Sequence, residues 1–518
     1  MSTTGDSGPT VRVTVGSYGH RGGPDEGRRV SSSEAVFDRA RGAANDAVVR
    51  ETGPTGIDRL EPLVLCSLDG RTTYHANCGG ARARRIVETL ESGRLPVDDA
   101  TAVVEHDEDA ETLPTPSEGP LSVGRRRILE RCGWVTASEV PDPLPVTDPE
   151  TVRERVSDVG ILGRGRGDAH RDESVGDAWE TARETEGDPV VVVNANDRDQ
   201  RNRADSLLLE SDPASVVEGA ALAADAVGAT DVVVYATDAD LPRRRVREAA
   251  DALLEAGRIE SRPEVVAGPD RYIAGEPTMA LEALEGSERI EARLRPPSTA
   301  VHGLYGRPTL VHTPRTFAQV RAALANPERF SADDADPGTR LLSVTGDVDA
   351  PATVELPTGG SLSAVRDAVG FEGSPKMVVV GGQFGGVTRH LDHAASSSAL
   401  DAANLGTEGI VELFDDDKCA VATAGKRARF ARDENCGRCA PCREGSKQLV
   451  GMLRDVYDGD YDDDMLRELA RTMRATSTCD FGRTAGRTID TAIDAFEREF
   501  LAHADGRCPA GECEEVSA

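Results

Sequence analysis

Along residues 415–506 the apolar positions recur at helical intervals. Ile489, Ile493, Phe496 and Phe500 fall four, three and four residues apart, which is one stripe of a helix, and Met465, Leu466, Leu469 and Met473 form another. Beyond about residue 420 the pattern predicts a helical bundle and nothing else. Upstream the period changes. Short buried strands at 190–193 and 231–235 alternate with amphipathic stretches over 216–227 and 244–256. Such alternation predicts an α/β sheet with helices on its faces across 120–335. Between 340 and 395, strands at 341–344, 352–356 and 377–380 surround a short helix near 362–369, as in a small β-grasp module. A strand at 63–65, a helix over 81–92 and a strand at 102–104 give a compact α/β unit at 56–112. Residues 1–55 read as a flexible segment holding a short strand at 11–15. A Pro-rich link at 113–116 leads into a helix over 123–131, and 507–518 is a tail. The expected fold class is therefore α/β multidomain with a C-terminal helical bundle.

Composition adds the environment. The chain has 518 residues, a net charge of −31, and lysine only at 376, 418, 426 and 447. Acidic excess with scarce lysine suits a protein that stays soluble in concentrated salt, where self-repulsion is screened. That predicts a halophilic, haloarchaeal source; an acidic mesophilic protein is the alternative. No basic face or arm stands out, which argues against a nucleic-acid partner. No apolar run is long enough for a transmembrane segment, and residues 1–6 lack the features of a signal peptide, so a cytoplasmic location is expected.

The cysteines carry the chemistry. Cys436, Cys439 and Cys442 lie two residues apart from one another, and Cys479 follows after thirty-six residues. Three close thiolates and one distant one suit a [4Fe-4S] cluster, with one cysteine per iron. Structural zinc prefers two separated pairs. Gly437, Pro441 and Gly445 place the motif on a loop and argue against inert core thiols. Cys66 and Cys78 are spaced like the first half of a thioredoxin-like [2Fe-2S] domain whose second pair is missing, so 56–112 reads as a remnant without a cluster. Cys132 is expected to pack.

The stretch Glu434–Gly445 resembles E-S-C-G-x-C-x-P-C-R-E-G of the NADH-binding flavoprotein of respiratory complex I (its F-type component), a family shared with bidirectional hydrogenases and NAD-linked formate dehydrogenases. Phe496, Glu499, Phe500 and His503 follow its F-x-x-E-F-x-x-H pattern, and the resemblance spans about 120–515. It implies a [4Fe-4S] cluster on Cys436, Cys439, Cys442 and Cys479, with FMN and NAD(H) in the α/β domain. The family's Gly-rich flavin loop is similar to Leu162–His170, with Gly163, Arg164 and Gly165. Its second signature corresponds to Asn194–Ser206, and its nicotinamide loop to Tyr272–Ala280, with Tyr272, Gly275 and Glu276 retained. Cys508 and Cys513 resemble the junction after which some relatives add a ferredoxin domain; they read as a remnant, with pairing or metal binding left open. The family's partners imply other redox subunits of an electron-transfer complex.

The flavin signatures also depart from the family. Arg166 and Asp168 interrupt the glycines, Ala178 replaces a lysine, Pro277 replaces a second glutamate, and N-N-V-E-T becomes His312-Thr313-Pro314-Arg315-Thr316. Each lost directed hydrogen bond removes on the order of 1 kcal/mol. Arg166 offers a substitute guanidinium for the phosphate. Three readings stay open: an NADH dehydrogenase-like oxidoreductase subunit passing electrons from NADH through FMN to the cluster, a non-catalytic iron–sulfur adaptor with a degenerate pocket, and a structural zinc protein. No catalytic residue is assigned.

Overall fold

The computed structural model describes residues 8–17, 26–166, 172–330 and 335–513. Three sheets and a C-terminal set of helices follow one another along the chain. The first sheet contains β1 (Thr10–Thr14), β2 (Val48–Thr52), β3 (Val64–Leu68), β4 (Arg71–His75) and β5 (Ala102–Glu105), in the order β2-β1-β3-β4-β5. β1 and β2 are parallel and joined through the helix Glu26–Arg41, whereas β3 runs antiparallel to β1. The flexible segment expected over 1–55 is thus folded where it is described. Two of its stretches are strands of the sheet that continues into 64–105. Cys66 and Cys78 are free, buried thiols in the core under this sheet.

The second sheet is parallel: β6 (Val190–Ala195), β7 (Asp231–Ala236), β8 (Glu264–Ala267) and β9 (Thr309–His312), ordered β8-β7-β6-β9. Central β6 is buried on both faces, which is why four valines follow without a polar break. Val191 and Val193 pack toward the helices Pro213–Val227 and Pro314–Ala325. Val190 and Val192 face Tyr235, Leu281 and Leu304. The helix expected over 123–131 does not form. Instead the backbone amides of Arg127, Ile128 and Leu129 donate to the buried Glu355 carboxylate at 2.8, 3.0 and 3.0 Å. Satisfying those donors from a distant strand removes the incentive to close a helical turn. Burial raises the pKa of that carboxyl.

The third sheet holds β10 (Thr339–Gly346), β11 (Ala352–Pro357), β12 (Met377–Val380), β13 (Gly386–Thr388) and β14 (Ile410–Phe414), ordered β11-β10-β14-β12-β13. Its last strand lies in the middle, parallel to its first. The module expected at 340–395 therefore extends to Phe414, because β14 supplies the strand that joins the two hairpins. After it come the helices Ala420–Glu434, Ala440–Asp455, Asp463–Thr476, Asp480–Thr484 and Arg487–Ala504. Ile489, Ile493, Phe496 and Phe500 are buried in their shared core, as the stripe predicts. In the second stripe Leu466 and Met473 are buried while Met465 is exposed. Among the described residues no helix is long and apolar enough to cross a membrane.

Candidate functional site

The cysteine loop starts where Asn435 ends a helix. Its side-chain amide donates to the carbonyls of Ala431 and Arg432 at 2.9 and 2.8 Å, and its carbonyl oxygen accepts from the Gly437 amide at 3.0 Å. Gly437 then takes a positive φ of 78°, which a side chain would resist, and turns the chain so that Cys436 and Cys439 face one side. Cys439 caps the helix Ala440–Asp455, whose Pro441 sits in the first turn, and Cys479 caps Asp480–Thr484. Both cysteines therefore stand at helix N-termini, and at the longer of the two helices the first-turn amides and the dipole favour the Cys439 thiolate.

All four cysteines, 436, 439, 442 and 479, line one pocket, together with Met279, Ala292, Arg438, Thr478 and Phe481. Hydrogen bonding from Cys442 lowers the Cys439 thiol to about 4, against its burial and with help from the Thr478 amide. Its partner Cys442 is pushed up by the same contact. Burial, followed by the nearby Glu276 carboxylate, pushes Cys479 up to about 12. Gly482 lets the helix Asp480–Thr484 approach, since a Cβ there would stand 2.8 Å from Cys442 Cβ. The donor chemistry, four convergent sulfurs with backbone N–H support, fits an iron–sulfur cluster.

The flavin-type signatures converge on two neighbouring cavities. The larger, about 450 Å³, is lined by Gly163, Arg164, Ala178, Pro277, Arg295, Ser298, Thr299, His312 and Thr316. That size falls within the range of cofactor sites. Its lining joins the Gly-rich loop, the lysine position and the flavin-holding motif named from sequence. The smaller cavity is lined by Arg166, Asn194, Asn196, Asp197, Gly275, Thr313 and Arg315. Asn194 donates to the Gly275 carbonyl at 2.9 Å and so ties the end of β6 to the nicotinamide-type loop. Gly165 lies between the residues that line the two cavities. Asp168, with the rest of the Gly-rich stretch beyond Arg166, lies outside the described residues.

Several side chains are committed elsewhere. The Arg164 guanidinium turns into a buried ionic network with Asp336, Asp172 and Arg340. Arg166 stacks on Tyr272, 3.9 Å from the ring centroid, and donates to the Tyr272 carbonyl at 2.9 Å. Glu276 caps the helix Pro277–Leu284 through the Met279 amide at 2.9 Å and pairs with Arg295 at 2.7 Å. Asp205 accepts from Arg315 at 3.0 and 2.9 Å. By contrast, the buried His312 Nε2 has no hydrogen-bond partner among the described residues. An orphan polar nitrogen in the wall of a ligand-sized cavity fits a bound oxygen-rich group such as FMN.

Burial lowers the His312 pKa from 6.5 to about 4, so the imidazole is neutral in the fold. The unfolded chain binds its proton near pH 6.5 and the folded chain only near pH 4, so folding stability falls as pH drops through this window. His312→Gln is expected to flatten that fall by a few kcal/mol at pH 4. Denaturation midpoints of both proteins at pH 7.5 and pH 4 check it; parallel losses would contradict it.

Sequence reasoning missed Met279, Ala292 and Arg438 around the cysteines. Arg438 donates to the Ala292 carbonyl at 2.8 Å, across 146 residues that no spacing rule connects. It also missed Arg295 and Thr299 in the larger cavity, whose PPST neighbourhood reads as a plain turn.

Residues 422–503 match the NADH-ubiquinone oxidoreductase-F iron-sulfur binding region, and residues 156–322 match the Nuo51 FMN-binding domain. The NADP-reducing hydrogenase component HndC of Solidesulfovibrio fructosivorans is 32% identical over 75% of this chain and 85% of its own length. The F-type component of the NADH-quinone oxidoreductase of Streptomyces coelicolor is 31% identical over 70% of this chain and 85% of its own. A crystal structure of a NAD+-reducing [NiFe]-hydrogenase in the H2-reduced state shares the fold, with a TM-score of 0.65 at 24% identity, covering 96% of this chain and 85% of that one. With its iron–sulfur binding region and its FMN-binding domain, the chain belongs to the family of F-type NADH-quinone oxidoreductase subunits and NAD(P)-reducing hydrogenase subunits.

Proposed function

We propose that this chain takes electrons from NADH through FMN in the cavities beside β6 and β9 and delivers them to a [4Fe-4S] cluster on Cys436, Cys439, Cys442 and Cys479. The observation that carries this reading is the segment 272–279. Gly275 lines the smaller cavity, Pro277 the larger one, and Met279 the four-cysteine pocket. Tyr272 packs edge-on against Phe430 at 4.7 Å and Phe481 at 6.1 Å, joining this segment to the cysteine helices. One short stretch of backbone thus separates the two sites and fixes their spacing, which is what the protein must supply while the cofactors carry the redox chemistry.

FMN, when bound, accepts two electrons from a nicotinamide and releases them singly. Gly163 and Thr316 would border it, His312 would give its orphan nitrogen, and Asn194 would hold Gly275 against it. The helix terminus at Cys439 would stabilise its thiolate.

The second reading, an iron–sulfur adaptor with an emptied flavin pocket, is favoured by one observation. Arg164, Arg166 and Arg315 all spend their guanidinium groups on protein partners. Anaerobic purification separates the two. Brown protein that releases about one FMN per chain on denaturation supports the first; colour without flavin supports the second; a colourless zinc protein would end both.

The first sheet supports a thioredoxin-like remnant, since its order β2-β1-β3-β4, with β1 parallel to β2 and β3 antiparallel to β1, is that of a thioredoxin core. The third supports a β-grasp module, with its last strand central and parallel to its first. The relatives' names describe subunits of larger enzymes, and other redox subunits are the partners this reading implies.

A further inference from the structure

A second set of metal-binding side chains lies at the far end of the helical bundle, apart from the four cluster cysteines. Cys419 caps the helix Ala420–Glu434, His503 lies in the last turn of Arg487–Ala504, and Cys508 and Cys513 follow on the tail. One ligand atom from each lies within 4.8 Å of all the others, and the group is largely buried. We propose that Cys419, His503, Cys508 and Cys513 hold one structural zinc ion that fastens the tail across the bundle.

The spacing selects the metal. Zinc bonds of about 2.3 Å to sulfur and 2.0–2.1 Å to nitrogen put tetrahedral ligand atoms roughly 3.5–4 Å apart. A four-iron cube holds its ligands further apart, because each binds a different iron. The histidine is already set as a ligand. Its Nδ1 lies 2.7 Å from the Glu499 carbonyl, which can only accept, so Nδ1 carries the hydrogen. Nε2 therefore presents its lone pair, 3.3 Å from Cys419 Sγ. A backbone carbonyl fixing the tautomer of a metal-bound imidazole is the usual supporting arrangement.

The surroundings suit three thiolates. The Ala422 amide donates to Cys419 Sγ at 3.3 Å, and the Tyr457 hydroxyl stands 3.5 Å from Cys513 Sγ. Glu512 accepts from the Cys419 amide at 2.7 Å and pairs with Lys426 at 2.7 Å. Lys376 donates to the Lys418 carbonyl at 2.6 Å and pairs with Glu499 at 2.9 Å. Lys426 and Lys376 thus neutralise the two carboxylates beside the cysteines, so Glu512 and Glu499 add no unpaired negative charge to a Cys3His zinc site of net charge −1. Four protein ligands leave no open position, so the site is structural, not catalytic. It depends on no part of the electron-transfer reading.

The test is metal analysis of the full chain purified anaerobically without chelators, with zinc K-edge absorption. The expected result is about one zinc per chain with three sulfurs near 2.3 Å and one nitrogen near 2.0–2.1 Å. The double variant Cys508→Ser/Cys513→Ser should lose the zinc, keep its iron, and be cut by trypsin at Arg507 at least about tenfold faster. If that variant does not fold, the absorption spectrum of the unaltered chain decides. Three results would overturn the proposal: no zinc after dialysis against zinc sulfate, a Cys508–Cys513 disulfide in the native protein, or a spectrum with four sulfurs, which would put zinc on the other cysteines.

Discussion

Cys439→Ser is expected to reduce the iron of the purified chain from about four atoms to less than one and to remove its visible absorbance. Cys439 is the thiol of the set that the fold most favours as thiolate, lowered to about 4 by Cys442 and supported by the Thr478 amide. A serine oxygen at the same place is a hard, weakly acidic group and a poor ligand for iron. The effect reaches beyond the loop. Cys479 starts the helix Asp480–Thr484, which packs through Gly482 on Cys442, so a shared cluster would add a further tie between that helix and Cys436, Cys439 and Cys442. Melting of the C-terminal helices should therefore shift down with the iron loss. Cys132→Ser is the control: Cys132 is buried far along the chain beside Leu129 and the Arg126 guanidinium, and its loss should leave iron unchanged. Unchanged iron in Cys439→Ser would remove this residue from the ligand set.

The second large effect is expected at Arg315→Ala. Arg315 and Asp205 are both almost fully buried, and the guanidinium meets the carboxylate through two nitrogens while a third bonds the Glu408 carbonyl at 2.8 Å. Removing the arginine leaves a carboxylate in a dry site without its counter-charge, which costs about 3–5 kcal/mol. The double change Arg315→Leu/Asp205→Leu removes both charges and is expected to cost less than Arg315→Ala alone, because the desolvation penalty disappears with them. Urea unfolding followed by Trp179, buried in the same α/β core, reads the difference. Equal destabilisation by the single and double variants would show that packing, not charge, holds this corner.

The parts of the fold that were legible in the sequence are those decided locally. The valine run of β6 reads as a buried strand because both its faces are covered, and Ile489 to Phe500 read as a helix because one stripe alone meets the core. In the N-terminal sheet β1, β3 and β5 were legible, whereas β2 and β4 were not. β2 is a half-exposed edge strand, Val48-Val49-Arg50-Glu51-Thr52, and its pairing with β1 closes over a helix rich in arginine and serine. No period marks such a pairing. The lost helix at 123–131 fails for a related reason, since Glu355 takes its amides from more than two hundred residues away. At the site, the meeting of the four cysteines in one pocket was legible because three of them lie close together in sequence. Met279, which shares their pocket, was not, because a methionine on a short helix carries no signal of its neighbours. The flavin signatures named the cavity walls but not the fate of their charges. Arg166, read as a phosphate donor, is stacked on Tyr272 instead. Cys419 and His503 lie 84 residues apart, and only the fold shows that they meet.

The most direct measurement is low-temperature EPR of the anaerobically purified chain before and after NADH is added. Electron flow from a nicotinamide site to the four-cysteine pocket predicts that NADH alone produces the spectrum of a reduced [4Fe-4S] cluster, and that Cys439→Ser abolishes it. A cluster that dithionite reduces but that NADH leaves untouched, in protein shown to contain FMN, would contradict it.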